Sequence, residues 1–149
     1  MASPAEYRFP DDLFYDRDEH LWVRLEAERV VIGMDQLAQA ALGPIVHVAL
    51  PELNSVVSRG DSVGSLEAEK MVTNLIAPVG GKIIEINEAA IEHPRLIQDE
   101  PYGKGWLIAL EPTDLGADTA HLIHDPAELG EWVTAETKRY IDNGWIDPA

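Results

Sequence analysis

The residues best suited to chemistry stand in one short run, Gly64-Ser-Leu-Glu67-Ala-Glu69-Lys70-Met71. Val63 to Glu67 has the pattern of a short strand and Met71 to Ile76 that of its return, so Lys70 falls near the tip of a β-hairpin. A lysine held there keeps its amine in water while the ladder holds its backbone. It is open to a modifying enzyme, and acylation removes its charge. Glu67 and Glu69 are expected to project to opposite sides of the strand, so that at most one reaches toward the lysine. A lysine in a β-turn is also an ordinary feature, and spacing alone leaves both readings open.

Other candidate groupings carry less. His121 and His124 stand three apart ahead of a C-terminal helix, but no third ligand accompanies them at a metal-site spacing, so no metal is expected. Tyr102-Gly-Lys-Gly-Trp106 lacks the glycine run that opens a phosphate-cradling helix and reads instead as a tight turn placing Trp106. Neither a nucleophile elbow nor a zinc-protease motif occurs, so no catalytic residue is assigned and the chain reads as a non-enzyme. The absence of cysteine excludes disulfides, thiolate metal sites and thiol nucleophiles.

The elements that must hold the hairpin follow from apolar spacing and breakers. Residues 1–12, polar and carrying Pro4 and Pro10, read as a loose arm. Leu21 to Leu25 and Val30 to Met34 pair across a turn at Glu26-Ala-Glu-Arg29. Asp35 caps a short helix that Gly43 and Pro44 stop. Ile45 to Leu50 forms a strand with Val46, Val48 and Leu50 on one face. Turns at Ser58–Asp61 and Pro78–Gly81 bracket the hairpin, and Lys82 to Asn87 is a strand with Ile84 and Ile86 facing one way. Glu88 to Leu96 reads as a helix broken at Pro94, and Gly105 to Leu110 as the last strand. Asp125-Pro126 with Glu128 opens a C-terminal helix whose Leu129, Trp132, Val133 and Tyr140 fall mostly on one face. The tail from Asn143 reads as loosely held, with Trp145 and Ile146 able to dock.

A chain of 149 residues that is 46% apolar suits one domain with a real core, predicted over 13–149. Residues 13–112 form its main part and 113–149 a helical extension. No apolar run reaches the roughly 18 residues a bilayer requires, and Met1 to Pro10 lacks the pattern of a signal peptide, so a cytoplasmic location is expected. The 27 acidic residues against 11 basic ones leave a formal charge of −16. That field repels nucleic acid and anionic membranes, and it favours partners with positive docking surfaces.

Several stretches together resemble the H protein of the glycine cleavage system. Glu19-His20-Leu21-Trp22-Val23 is similar to that family's Glu-His-Glu-Trp-Val opening. Ile32-Gly33, Ala38-Gln39 and Leu42-Gly43 resemble its Ile-Gly…Ala-Gln…Leu-Gly signature, and Val46, Val48 and Leu50-Pro51 its Val-x-Val-x-Leu-Pro strand. Asp99 to Trp106 resembles its Asp-Pro-Tyr-Gly-x-Gly-Trp element with one residue of difference. In that family a lipoylated lysine follows a Glu by three residues and a Gly by six, as Lys70 follows Glu67 and Gly64. The resemblance thus implies lipoate bound covalently to Lys70, with Gly64, Glu67 and Glu69 serving presentation and recognition by the attaching ligase. It implies a mainly β fold with flanking helices, the barrel-sandwich hybrid of lipoyl and biotinyl carriers, ending in a C-terminal helix. It also places His20 near the cleft that receives the arm. A lipoyl carrier without cysteine cannot trap its own dithiolane by exchange.

The departures from the family bear on the client. Glu67-Ala-Glu-Lys-Met71 replaces the usual Glu-Ser-Val-Lys-Ala or Glu-Ser-Thr-Lys, Asp35-Gln36-Leu37 replaces Thr-Asp-Tyr, and Pro44 replaces an aspartate. From about Gly116 the likeness is loose. Divergent H-like lipoate-binding proteins of a bacterial sulfur-oxidising system resemble this chain as well, and the altered arm motif with the acidic composition points first to that system. Its partners would be a heterodisulfide-reductase-like complex and lipoate-attachment enzymes. The alternative is the glycine cleavage H protein itself, carrying an aminomethyl group among the glycine cleavage enzymes, including dihydrolipoyl dehydrogenase. Met71 after the lysine makes biotin the competing modification, since biotinyl carriers flank their lysine with methionine.

Overall fold

The computed structural model describes residues 7–69 and 71–147. Nine strands and five helices follow in chain order among them. β1 (Phe14–Tyr15), β2 (Leu21–Glu26) and β3 (Arg29–Met34) lead into α1 (Gln36–Leu42). β4 (Ile45–Ala49), β5 (Val56–Val57), β6 (Ser62–Ala68), β7 (Val72–Ile76) and β8 (Gly81–Ile86) come next. α2 (Glu88–Glu92), α3 (Arg95–Asp99), β9 (Ile108–Pro112), α4 (Leu115–Thr119) and α5 (Pro126–Asp142) complete the order. All pairings are antiparallel. One sheet runs β1-β2-β3-β9-β8-β5 and the other β4-β6-β7.

The inner faces of both sheets meet in the main core. Val23, Ile32 and Leu110 come from the larger sheet and Val48, Leu66 and Leu75 from the smaller. This is the expected barrel-sandwich hybrid with its C-terminal helix. The outer face of the larger sheet is covered too: Trp22, Val31 and Ala109 pack with Leu13, Tyr15, Leu129 and Trp132 beneath α5. A third cluster of Leu37, Tyr140 and Ile146 joins α1 to the end of α5.

Capping accounts for where the two anchoring helices begin. The Asp35 side chain accepts from the Ala38 N–H at 2.9 Å and the Asp125 side chain from the Glu128 N–H at 3.0 Å. Each takes up a donor that the first helical turn leaves unpaired. The segment from Glu88 to Asp99 splits into α2 and α3 around Pro94, which lacks the N–H a continuous helix needs.

The structure differs from the sequence reading at several elements. Val46 and Val48 do not share a face, because a bulge between Ile45 and His47 inserts one residue and leaves Val46 exposed while Val48 is buried. A second bulge between Ile83 and Glu85 puts Ile83 in the core and turns Ile84 outward. The last strand starts at Ile108 rather than Gly105, since the Tyr102–Trp106 turn occupies the residues before it. Of the arm expected to be loose, residues 7–12 are held. The Tyr15 hydroxyl donates to the Pro10 carbonyl at 2.6 Å, and Tyr102 donates to the Arg8 carbonyl. In the C-terminal tail Ile146 docks, as the sequence allowed, and is buried against Leu37 and Tyr140, while residues 148–149 lie outside the described residues.

Candidate functional site

The hairpin expected around the lysine is β6–β7, paired from Ser62↔Ile76 to Glu67↔Val72. Beyond the last pair the Ala68 N–H donates to the Met71 carbonyl at 2.8 Å, closing the turn. Lys70 lies outside the described residues. Its neighbours define its setting: Glu69 and Met71 are exposed, and Ala68 is buried. Glu67 is exposed on the same outer side as Glu69, contrary to the expectation of opposite sides. Strand side chains alternate with a period of two, so residues two apart share a face.

Gly64 sits well back from the tip, at the register shift between Ser62 and Ser65. Its φ is +121°, and a Cβ there would lie 2.1 Å from the Ala49 carbonyl oxygen. The glycine is required by the close approach of β6 to the chain at Ala49 and Leu50. Its position sets the course of the hairpin and does not present a surface at the tip.

A cleft of about 300 Å³ opens beside the hairpin. Met71 and Thr73 of β7, Met34 at the end of β3, and Ala38, Ala41 and Leu42 of α1 line it. Tyr140 and Trp145 from the end of α5 complete the lining, and Asp18, Glu19 and His20 add polar groups. Its volume is at the small end of about 300–1,000 Å³ for small-molecule sites. Met71, the residue following Lys70, is part of this wall. The lining suits a lipoyl chain, a hydrocarbon arm ending in two sulfurs, because methionine and aromatic side chains make favourable contacts with both.

His20 is one of the polar side chains lining the cleft. It is buried, with Nδ1 2.6 Å from Asp35 Oδ2 and Nε2 2.7 Å from Glu136 Oε1. Burial opposes its charge, but the two carboxylates outweigh that and raise its pKa above the ordinary value. Glu136 is held below its usual range chiefly by hydrogen bonds from Arg139 and also by His20. The backbone of His20 lies in the left-handed region at φ 60°, which histidine tolerates better than bulkier residues. Its N–H donates to the Asp16 carbonyl and its carbonyl accepts from the Asp35 N–H. One residue therefore ties the β1–β2 loop, α1 and α5 together at the cleft. Glu19 nearby has its pKa raised by partial burial and by Asp16 and Asp18.

Sequence reading placed His20 near the cleft but missed Asp35 as its partner, Glu136, Tyr140 and Trp145. Asp35 was legible only as a helix cap, and the periodicity of α5 marked Tyr140 only as inward-facing. Glu136 is 116 residues from His20 and carries no local signal of the contact. Tyr102–Trp106 is a turn as expected, fastened by Asn87, whose Nδ2 donates to the carbonyls of Lys104 and Trp106 at 2.8 and 2.7 Å. His121 and His124 do not meet. His121 lies 3.5 Å from Asp16, while His124 stacks on Phe14 and bonds to the Leu13 carbonyl. No group of three or more potential metal ligands occurs among the described residues. No helix of the described residues is long and apolar enough to cross a membrane.

A two-sheet barrel with a tight hairpin beside an apolar cleft defines a carrier that presents a covalently attached swinging group. The chain belongs to the glycine cleavage H-protein family, whose model matches residues 13–136. It is 41% identical over 127 residues to the glycine cleavage system H protein of Carboxydothermus hydrogenoformans, covering 85% of this chain and 88% of that one. To the H protein of Geobacillus kaustophilus it is 44% identical over 115 residues, covering 77% and 85%. The crystal structure of the H protein from Mycobacterium marinum superimposes with a TM-score of 0.74 at 36% identity, covering 83% of this chain and 98% of that one. Proteins of this family carry lipoate covalently on a lysine and are not enzymes, and this chain is a lipoyl carrier. The likenesses favour the glycine cleavage client over the sulfur-oxidising one, which nothing in them supports.

Proposed function

We propose that this protein is the H protein of a glycine cleavage system, with lipoate attached to Lys70. The observation that supports the reading is that Glu67, Ala68 and Glu69 lead out of β6 into the turn toward β7, with Met71 lining the adjoining cleft. When attached, lipoate supplies a dithiolane that takes up and releases an aminomethyl group and passes between disulfide and dithiol. The chain's own residues supply presentation and shelter. Glu67 and Glu69 stand exposed beside the tip and offer the attaching ligase an acidic edge. Met34 and Leu42, both buried, form the apolar floor of the cleft, and the half-exposed Met71 forms part of its wall. His20, clamped by Asp35 and Glu136, holds α5 and its aromatic residues against that cleft. The partners in this proposal are a lipoate-attachment enzyme, glycine decarboxylase, the aminomethyltransferase and dihydrolipoyl dehydrogenase, all cytoplasmic.

Lipoate ligase with ATP and lipoate, which it activates as the acyl adenylate, should add one lipoyl mass to the purified wild type and none to Lys70→Arg. The lipoylated form should then support release of labelled carbon dioxide from glycine by a glycine decarboxylase. Biotin on Lys70 in protein from its native host would overturn the assignment. So would lipoylation at another lysine.

A further inference from the structure

The end of α5 is a built turn that holds one aromatic side chain half in water. The Asn143 N–H donates to the Arg139 carbonyl and the Gly144 N–H to that of Ile141. Gly144 then reverses the chain at φ +73°, a conformation glycine adopts without a Cβ penalty. The Trp145 N–H returns to the Tyr140 carbonyl at 2.9 Å, and Ile146 is buried in the cluster with Leu37 and Tyr140. Trp145 is therefore anchored on both sides. The residue is nonetheless 47% exposed.

The exposed ring is not free to wander. It meets Tyr140 edge-on with centroids 5.0 Å apart, and the Arg139 guanidinium lies 5.3 Å from the centroids of both rings. Arg139 is in turn fixed by Glu136, the same carboxylate that clamps His20. The ring thus lines the cleft shared with Met71 and Thr73. An indole held in this way, with apolar area still in water, is a preformed surface for an apolar or sulfur-bearing group. The matched family segment ends at residue 136, so Trp145 belongs to the part of the chain beyond it.

We propose that Trp145 is the aromatic wall on which the dithiolane end of the Lys70 arm rests. The C-terminal segment, beyond the matched family region, then contributes a binding residue for the arm. Sulfur meets aromatic rings favourably at the ring edge, and the alkyl part of the arm would follow Leu42 and Met71. The inference rests on the reading of Lys70 as the lipoylated residue.

The test uses the full chain, lipoylated by ligase and checked by intact mass before any other measurement. Disulfides quench nearby indoles, so lipoylation should lower tryptophan emission in the wild type and leave that of Trp145→Phe unchanged. Reduction of the lipoyl disulfide by a water-soluble phosphine, followed by thiol trapping, should run about fivefold faster in Trp145→Ala than in the wild type, the scale of one sulfur–aromatic contact. Equal quenching in wild type and Trp145→Phe, or equal reduction rates in a folded Trp145→Ala, would overturn the proposal while leaving Lys70 as the attachment site. Absence of the lipoyl mass would overturn the attachment reading and this proposal with it. Should Trp145→Ala fail to fold, the quenching comparison with the milder phenylalanine variant decides.

Discussion

Single residues at this site divide into those that bear the group and those that shape the strand bearing it. Lys70→Arg should leave the fold intact, by circular dichroism and denaturation midpoint, and abolish lipoylation, because a guanidinium is not acylated by the ligase. Gly64→Ala should do the reverse. With φ at +121° and a Cβ forced against the Ala49 carbonyl, it should destabilise the fold by about 2–6 kcal/mol in urea titration, the sum of backbone strain and overpacking. The sequence pattern that marked Gly64, six residues before the lysine, thus reflects a backbone requirement of β6. Motif spacing alone cannot separate such a requirement from contact with a ligase.

The decisive arrangement at the scale of elements is the clamp of His20 between Asp35 at the start of α1 and Glu136 in α5. The folded-state pKa of His20 is raised above its ordinary value of 6.5, so its contribution is fully present below about that pH and is lost as pH rises through the raised value. Glu136 is lowered from 4.5, so its contribution is present above that value and lost as pH falls through the lowered one. The clamp should therefore stabilise most between about pH 4.5 and 6.5, and the fall on the alkaline side should vanish in His20→Gln. His20→Ala leaves the buried Asp35 without its ionic partner, keeping only the bond from the Ala38 N–H, and should cost about 3–5 kcal/mol in denaturant midpoint measurements. Capping is a smaller and more local matter. Asp125→Ala should loosen the first turn of α5 at a cost of about 1 kcal/mol, read from faster amide exchange there. Both caps were legible in sequence because a cap and its donor lie three residues apart. The clamp was not, because its partners come from separate elements.

The whole molecule carries a charge of −16 around a small barrel, a field that should act on its encounters with partner enzymes. Charge–charge steering of an acidic carrier toward a positive docking surface is screened over about 10 Å at 0.1 M salt. The apparent KM of glycine decarboxylase for the lipoylated protein should accordingly rise with salt, while kcat changes little. A KM that stays level from low to high salt would show that docking does not depend on the net field. The two-sheet barrel, with α5 laid across the outer face of the larger sheet, leaves Glu69 and Met71 beside the β6–β7 turn exposed for successive partners.

Much of the fold was legible from local order. Apolar alternation marked β2, turns marked β3, β6 and β7 as the strands beside them, and caps marked α1 and α5, because each of these depends on residues a few positions apart. Bulges in β4 and β8 moved Val46 and Ile84 outward against the simple alternation, since an inserted residue is set by cross-strand pairing and not by the strand's own pattern. The arm motif around Lys70 was present in sequence from the start. Only the tertiary structure brought Met71, His20, Tyr140 and Trp145 to one cleft. Their convergence requires α5 to close over the barrel and its tail to turn back at Gly144, contacts between segments more than a hundred residues apart for His20 and Glu136 that no local pattern encodes.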